Sequence, residues 1–225
     1  MSCTSPEDSI PQDAQSVKPL LIGDSIPDVS LQSAEGESIN LTDFNRENTL
    51  FIFYRGGWCP FCSAELSEIA QIEDELYERG VTVIGISPDQ PSYLQQSMDD
   101  IEFDYKLLSD SNMAASKAFG IAFQIDSETV QSLKENGMDI EERSGQNHHL
   151  LPVPAIFLTN DEGVIEFQYV NPEYRTRIDK DVLLAAVDAM INSWHFKAVD
   201  SIQLFVSFKD GKRSKYRQSN RPKIS

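Results

Sequence analysis

Two continuously apolar segments, separated by a stretch of helical periodicity, constrain the fold of this chain most strongly. They are TLFIFY, residues 49–54, and VTVIGIS, residues 81–87. Apolar runs of this kind are typical of strands that are buried on both faces. The apolar residues between them recur at helical spacing up to Gly80, which predicts a helix with a glycine stop. Strand, helix and strand in this order predict a βαβ unit with a parallel sheet and a right-handed crossover.

The rest of the chain predicts further elements around the same sheet. Residues 28–41, with Glu35 and Gly36 at the turn, predict an N-terminal β-hairpin, and LTDF after it predicts a short turn. AIFLT and VIEFQYV flank a turn-rich NDEG, which predicts a second hairpin. A strand is expected at YKLLSD, and helices over 90–100, 112–119 and 127–136 and from Asp179 onward. We therefore expect an α/β fold, with a central mixed sheet flanked by helices.

Charge and composition divide the chain into three parts. We expect a mobile N-terminal lead-in over 1–19, a globular domain over 20–195 with a long polar insert at about 121–152, and a basic extension over 196–225. Long inserts are often lids or interaction surfaces. The extension carries eight Lys/Arg against two acids, with one strand expected at SIQLFVSF. A solvated tail and a nucleic-acid arm are the two interpretations of its charge.

The overall composition excludes several classes of function. A net charge of −17 opposes nucleic acid or an anionic membrane as the main partner. No segment approaches the ~20 apolar residues of a membrane span, and the N-terminus lacks the features of a secretory signal. The chain has only three cysteines, and two of them are three residues apart, whereas a secreted disulfide framework would have more and would spread them out. Cys3, in the polar lead-in, is interpreted as a bystander. These features predict a reducing compartment, most simply the cytoplasm.

The segment FYRGGWCPFC contains the residues with the clearest chemistry. Cys59 follows Gly56 and Gly57 and precedes the predicted helix, where unpaired backbone N–H groups favour a thiolate. Cys62 lies one turn further on. This spacing beside a βαβ unit is typical of a redox pair in which Cys59 attacks and Cys62 resolves. Trp58 is expected to pack over the site or to fill the core.

Two other interpretations of the cysteine pair stay open at this point. A structural zinc needs four ligands, and the only other candidates are His148 and His149, far along the chain. The two histidines instead fit a proton-transfer role near the cysteines or simple loop packing. The pair Cys59 and Cys62 can also be a buried, inert pair of small apolar residues.

The segment FYRGGWCPFC, together with VPAIFLTNDEGVIEFQYVNPEYRTRID, resembles peroxiredoxin-like proteins of the AhpC/TSA (redoxin) family. The resemblance covers about residues 20–195. It implies a thioredoxin-like fold and a thiol-dependent oxidoreductase with antioxidant activity. It implies no metal, flavin or nucleotide cofactor.

The resemblance also implies roles for individual residues. Pro154 matches the cis-proline of the thioredoxin fold, which would place an edge backbone beside Cys59; its alternative is an ordinary trans proline that opens a strand. Arg177 matches the arginine that supports the thiolate and the peroxide, and Arg175 would share its face. Arg55 is a further cation near Cys59, and each arginine can equally be a surface charge. Gly57 and Trp58 are expected to help position the substrate.

Two positions depart from the family pattern. Peroxiredoxins carry a proline seven residues before the attacking cysteine and a Thr or Ser three residues before it, where this chain has Ile52 and Gly56. The hydroxyl that orients a peroxide is therefore missing. Three functions follow: reduction of a peroxide, reduction of a disulfide without useful peroxidase activity, or redox-sensing interaction. The expected reductant is thioredoxin, glutaredoxin or glutathione. The expected assembly is a homodimer.

Overall fold

The computed structural model describes residues 10–100 and 103–197, with side chains described for 10–98 and 103–192. A seven-stranded mixed sheet runs through the centre in the order β2-β1-β5-β4-β3-β8-β9. Its strands are β1 (Ser30–Ser33), β2 (Ser38–Asn40), β3 (Asn48–Phe53), β4 (Val81–Ser87), β5 (Lys106–Ser109), β8 (Ala155–Thr159) and β9 (Ile165–Val170). The strands β6 (Ala122–Gln124) and β7 (Leu150–Pro152) form a separate pair.

The predicted βαβ unit is confirmed. Strand β3 pairs in parallel with β4, with Phe51 opposite Ile84, and pairs antiparallel with β8 on its other side. From Thr49 to Phe53 each of its residues is buried, as expected for a strand covered on both faces. Strand β3 therefore ends in the middle of the sheet, and the cysteine segment begins directly after it.

Helices cover both faces of the sheet. On one face, the chain between β3 and β4 forms α1 (Pro60–Ala70) and α2 (Glu73–Glu78), which pack with α7 (Lys180–Lys197) against Leu50 and Ile52. On the other face, α4 (Ala114–Ala118) lies beside the phenylalanines of β3 and β8. Helix α3 (Pro91–Asp100) precedes β5.

The single helix predicted up to Gly80 is wrong in one detail. The helix is interrupted between Ala70 and Glu73, where the N–H of Ile72 donates to the carbonyl of Ile69 at 3.0 Å in a tightened turn. Ile69 and Ile72 both stay buried in the core. The apolar periodicity continues through the interruption, so the pattern could not show it.

Both predicted hairpins are confirmed. Strands β1 and β2 pair antiparallel, with Leu31 opposite Ile39, and β1 joins the sheet through β5. Strands β8 and β9 pair antiparallel with Phe157 opposite Gln168, and a register shift lies next to Thr159. LTDF forms a short 3₁₀-helix, Leu41–Phe44, rather than a simple turn.

The insert is more ordered than its polar composition suggested. It holds the β6–β7 pair, α5 (Ser127–Glu135) close to the predicted helix, and α6 (Ile140–Ser144). Ile125, Ile140 and Leu151 form a small apolar cluster of its own, against which Trp58 packs. Tertiary packing of these few apolar residues orders a segment that has no long apolar run.

The first described residues are bound to the domain. The N–H of Lys18 donates to the carbonyl of Gly120, and the N–H of Leu20 donates to the carbonyl of Phe119, both at 3.0 Å. Residues 1–9, the strand expected at SIQLFVSF and most of the basic extension lie outside the described residues. The domain boundaries stay predictions. Among the described residues, no helix is long and apolar enough to cross a membrane.

Replacing Phe119 with alanine should destabilise the fold strongly. Its ring is fully buried, and its centroid lies 4.7 Å from that of Phe53 and 4.9 Å from that of Phe157. We expect the free energy of unfolding to fall by about 3–5 kcal/mol, because the substitution leaves a cavity in the core. Chemical denaturation followed by circular dichroism measures the change.

The matched control for this variant is Tyr77→Ala. Tyr77 is 80% exposed, so its loss should change stability by no more than about 0.5 kcal/mol. Equal stability of the two variants would contradict the packing described above.

Candidate active site

The cysteine pair lies where β3 ends and α1 begins. Cys59 is the N-cap residue of α1, and Pro60 follows as its first residue, where a missing N–H costs nothing. The Cys59 side chain is 2% exposed, Cys62 is fully buried, and neither cysteine forms a disulfide. The N–H of Cys62 donates to the Cys59 carbonyl at 2.9 Å, which fixes the turn between them. The structure therefore brings the two predicted thiols together.

The two thiols have opposite electrostatic environments. The pKa of Cys59 is lowered to about 6, chiefly because the Cys62 side chain donates a hydrogen bond to it. The backbone N–H of Cys62 and the charges of Arg55 and Arg177 act in the same direction, whereas burial opposes them. The pKa of Cys62 is raised well above its ordinary value by burial and by the neighbouring Cys59. At neutral pH Cys59 is thus a thiolate, and Cys62 carries the proton that stabilises it.

Arg177 lies against Cys62 rather than outside the site. Its Nη2 donates to the Cys62 sulfur at 3.3 Å, and its Nε lies 3.5 Å from Oε2 of Glu65. Its Nη1 is buried and has no hydrogen-bond partner among the described residues. The position of Arg177 is therefore consistent with the prediction that it supports the thiolate. Arg175, expected on the same face, instead lies exposed and donates to the Tyr174 hydroxyl at 3.3 Å.

Glu65 is a site residue that the sequence analysis missed. Its side chain is only 6% exposed, and burial raises its pKa to about 7, although Arg177 partly opposes the shift. The spacing held a signal: Glu65 follows Cys62 by three residues and precedes Leu66, so it lies on the buried face of α1. A lone acid in an apolar helical stripe is the feature that could have identified it.

Arg55 is held between two aromatic rings. Its guanidinium carbon lies 5.2 Å from the ring centroid of Trp58 and 4.5 Å from that of Tyr174, within the range of cation–π attraction. The Phe61 ring, from between the two cysteines, meets Tyr174 edge to face at 5.7 Å. This stack fixes Arg55 close enough to lower the pKa of Cys59. The sequence predicted Arg55 and Trp58 for the site, but not Tyr174 or Phe61.

Gly56 and Gly57 lie where a side chain would collide with neighbouring residues. Gly56 has φ +138°, and a Cβ there would collide with the indole of Trp58. A Thr or Ser at position 56 would therefore displace Trp58, so the family hydroxyl does not fit beside this tryptophan. A Cβ on Gly57 would collide with the hydroxyl of Ser97. Both positions bring the backbone close to its neighbours.

A buried ion pair anchors Gly57 from the other side. The N–H of Gly57 donates to Oδ2 of Asp89 at 2.8 Å. Asp89, 1% exposed, also accepts two hydrogen bonds from Arg143 of α6, at 3.0 and 2.9 Å. This paired geometry is the strong form of an Arg–carboxylate contact. The insert thereby holds the segment that leads into Cys59, a link that the sequence gave no means to predict.

The expectation of a cis peptide bond before Pro154 is wrong. The peptide bond before Pro154 is trans, as are all those in the described part of the chain. Pro154 lies between the end of β7 and the start of β8, and trans is the generally preferred isomer of an X–Pro bond. The backbone edge is also occupied, because the N–H of Val153 donates to the carbonyl of Ile121 at 2.8 Å. Pro154 instead lines a cleft of about 290 Å³ that Arg55 and Tyr174 also line.

The two histidines are engaged within the insert. Nε2 of His148 lies 2.9 Å from the carbonyl oxygen of Ser111, and its Nδ1 accepts the N–H of Leu150 at 3.0 Å. Nε2 of His149 lies 2.7 Å from Glu141. These contacts fit loop packing rather than proton transfer at the thiols. Within residues 10–98 and 103–192, no group of three or more His, Cys, Asp or Glu could hold a metal ion.

The fold and the site together define a thioredoxin-fold protein with a thiolate at a helix N-terminus. The AhpC/TSA family profile matches residues 22–168. The chain belongs to the AhpC/TSA family and is a thiol-dependent oxidoreductase of the peroxiredoxin type.

Individual relatives agree with this assignment. Peroxiredoxin Bcp of Escherichia coli K12 is 35% identical over 105 residues, which is 47% of this chain and 67% of the relative. The 1-Cys peroxiredoxin PER1 of Hordeum vulgare is 26% identical over 77% of this chain and 74% of its own length. Among solved structures, peroxidoxin BcpB from Mycobacterium tuberculosis matches with a TM-score of 0.57 at 20% identity, covering 75% of this chain and 97% of that one.

A structure of the yeast mitochondrial 1-Cys peroxiredoxin also shares the fold. That structure concerns the thiol resolving mechanism of the yeast protein via glutathione/thioredoxin systems. Its TM-score is 0.62 at 15% identity, and the match covers 78% of each chain. The thioredoxin-like fold expected from the sequence is confirmed by these structural neighbours.

Removing the hydrogen bond from Cys62 should raise the pKa of Cys59. We expect Cys62→Ala to move that pKa upward from about 6, because this hydrogen bond is the largest cause of the lowering. Cys62→Ser keeps a donor and should retain most of the shift. The pH dependence of Cys59 alkylation by iodoacetamide, resolved by peptide mass spectrometry in a Cys3→Ser background, gives both values. An unchanged midpoint in Cys62→Ala would contradict this account of the thiolate.

Proposed function

We propose that this protein reduces a peroxide through a dithiol/disulfide cycle of Cys59 and Cys62. The observation that carries the proposal is the unequal protonation of two adjacent, buried thiols. Cys59 has a pKa of about 6 and Cys62 a strongly raised one. An ionised thiol attacks, and a protonated thiol beside it waits to resolve.

The first step is attack of the Cys59 thiolate on a peroxide oxygen. The O–O bond breaks, the alkoxide or hydroxide takes up a proton, and Cys59 becomes a sulfenic acid. Cys62 then condenses with the sulfenic acid, and the Cys59–Cys62 disulfide forms with loss of water. An external dithiol supplies two electrons and two protons to restore the pair.

Arginine N–H groups take the place of the missing hydroxyl in this proposal. Nη1 of Arg177 and Nε of Arg55 are both buried and have no hydrogen-bond partner among the described residues. Buried N–H donors of this kind stabilise negative charge as it develops on an oxygen. Gly56 therefore limits how the peroxide is oriented without removing the charge stabilisation.

The reductant in this proposal is a dithiol donor of the thioredoxin or glutaredoxin kind, or glutathione. Because the chain has only three cysteines, two of them three residues apart, we also propose a reducing compartment such as the cytoplasm. A homodimer is proposed on family grounds alone.

A second candidate function is disulfide reduction without useful peroxidase activity. Gly56 favours it, because no hydroxyl at that position can orient a peroxide. In this case Cys59 attacks a disulfide sulfur and forms a mixed disulfide, and one substrate thiolate leaves. Cys62 then attacks the Cys59 sulfur, the Cys59–Cys62 disulfide forms, and the second substrate thiolate leaves. A third candidate is a redox sensor, in which the disulfide controls binding to a partner. Equal capture of partners by the oxidised and the reduced protein would argue against this function.

Stopped-flow oxidation by hydrogen peroxide separates the first two candidates. At pH 7 a pKa of about 6 gives ~90% thiolate, against ~3% for free cysteine, so ionisation alone accounts for about a 30-fold faster reaction. We expect a larger acceleration than this, because the arginines also stabilise the transition state. An acceleration of 30-fold or less would leave disulfide exchange as the function.

Single-cysteine variants control this measurement. Cys59→Ser should lose the fast reaction altogether. Cys62→Ser should keep the fast first phase but should not turn over with a dithiol donor. Full turnover of Cys62→Ser would remove Cys62 as the resolving residue.

A further inference from the structure

Cys62 needs a new proton acceptor in the second half of the cycle. In the reduced protein its side chain donates a hydrogen bond to the Cys59 thiolate. Once Cys59 has become a sulfenic acid or a mixed disulfide, that thiolate no longer exists. Cys62 is fully buried, so water is poorly placed to take the proton. A protein group beside Cys62 must therefore accept it.

Glu65 is placed to be that acceptor. It lies one turn after Cys62 on the same buried face of α1. Arg177 contacts both residues: its Nη2 is 3.3 Å from the Cys62 sulfur, and its Nε is 3.5 Å from Oε2 of Glu65. The thiol and the carboxylate therefore contact the same guanidinium, the thiol through a hydrogen bond from Nη2 and the carboxylate through an ion pair at Nε.

We propose that the Glu65 carboxylate accepts the proton of Cys62 during resolution, while Arg177 stabilises the resulting thiolate. The inference rests on the dithiol cycle proposed above. It is independent of whether the oxidant is a peroxide or a disulfide.

The step balances with either oxidant. The S–H bond of Cys62 breaks, its proton moves to Glu65, and its electron pair forms the bond to the Cys59 sulfur. With a sulfenic acid, the S–O bond breaks, and the leaving hydroxide takes the proton from Glu65 as water. With a mixed disulfide, the S–S bond to the substrate breaks, and the proton passes from Glu65 to the leaving thiolate or, when that thiolate is a weak base such as thionitrobenzoate, to solvent. In both cases Glu65 ends as a carboxylate again.

The electrostatic surroundings suit proton exchange near neutral pH. Burial raises the pKa of Glu65 to about 7, and a group that exchanges protons is most effective when its pKa is near the working pH. Titratable or charged groups of three packed segments face Glu65. They are Cys59 and Glu68 at or on α1, Tyr105 before β5, and Arg177 before α7. Arg177 is the cation among these groups.

The test uses dithiobis(nitrobenzoate) as the oxidant, with the full chain in a Cys3→Ser background. Attack by Cys59 releases a first equivalent of coloured thionitrobenzoate, and resolution by Cys62 releases a second. The leaving group departs as a stable thiolate, so the second release depends on deprotonation of Cys62. In Glu65→Gln we expect the second release to slow by about 10²-fold, whereas the first keeps its rate or rises slightly as a neighbouring negative charge is removed.

The pH profile distinguishes proton transfer from a structural effect. The wild-type second release should rise through an ionisation near pH 7 that Glu65→Gln lacks. Glu65→Asp retains a carboxylate and should restore part of the rate together with an ionisation. Glu68→Gln removes a neighbouring exposed charge from the same helix. It should leave the first release unchanged and should keep the ionisation of the second release, moved slightly to lower pH because Glu68 raises the pKa of Glu65. If Glu65→Gln does not fold, the comparison of Glu65→Asp with wild type still tests the ionisation.

Three outcomes would overturn the inference. A single release in the wild type would mean that the dithiol cycle itself is absent. Two releases in the wild type with an unslowed second release in Glu65→Gln would overturn the role of Glu65 alone. A slowed second release with the wild-type pH profile retained would show that Glu65 only positions Arg177.

Discussion

A negative charge on the sulfur of Cys59, in a side chain that is only 2% exposed, is the feature on which the rest of the site depends. Burial opposes such a charge, so protein groups must replace the water that would otherwise stabilise it. The Cys62 thiol, the Cys62 backbone N–H and two arginines together lower the pKa of Cys59 to about 6. The N-terminus of α1, Pro60 and the Gly56–Gly57 turn set the backbone that brings these groups together.

The two arginines come from distant positions in the chain and are held differently. Arg55 directly follows β3 and is fixed by the rings of Trp58 and Tyr174. Arg177 comes from the segment before α7 and is fixed by the buried Glu65. Asp89 and Arg143 add a third support, because they hold Gly57 against the insert. Through Arg143, the insert therefore helps to hold the segment that leads into Cys59.

The sequence was sufficient for features that arise from local pattern. The apolar runs predicted β3, β4 and the two hairpins, and the cysteine spacing identified the thiols. It was insufficient where the outcome depends on tertiary contacts between distant segments. The Asp89–Arg143 pair, the Tyr174 stack and the β6–β7 pair each join residues far apart in the chain. The trans peptide before Pro154 and the outward position of Arg175 depend on neighbours that the family resemblance did not specify.

In the proposed cycle, Cys59 and Cys62 form their disulfide within one chain. The direct test treats the reduced protein with one equivalent of hydrogen peroxide, digests it without reductant and maps the peptides by mass spectrometry. Cys59 and Cys62 should be recovered as a disulfide within one chain, two hydrogens lighter than the reduced peptide. Recovery of a sulfenic acid on Cys59 with Cys62 still free, or of a disulfide between two chains, would contradict it.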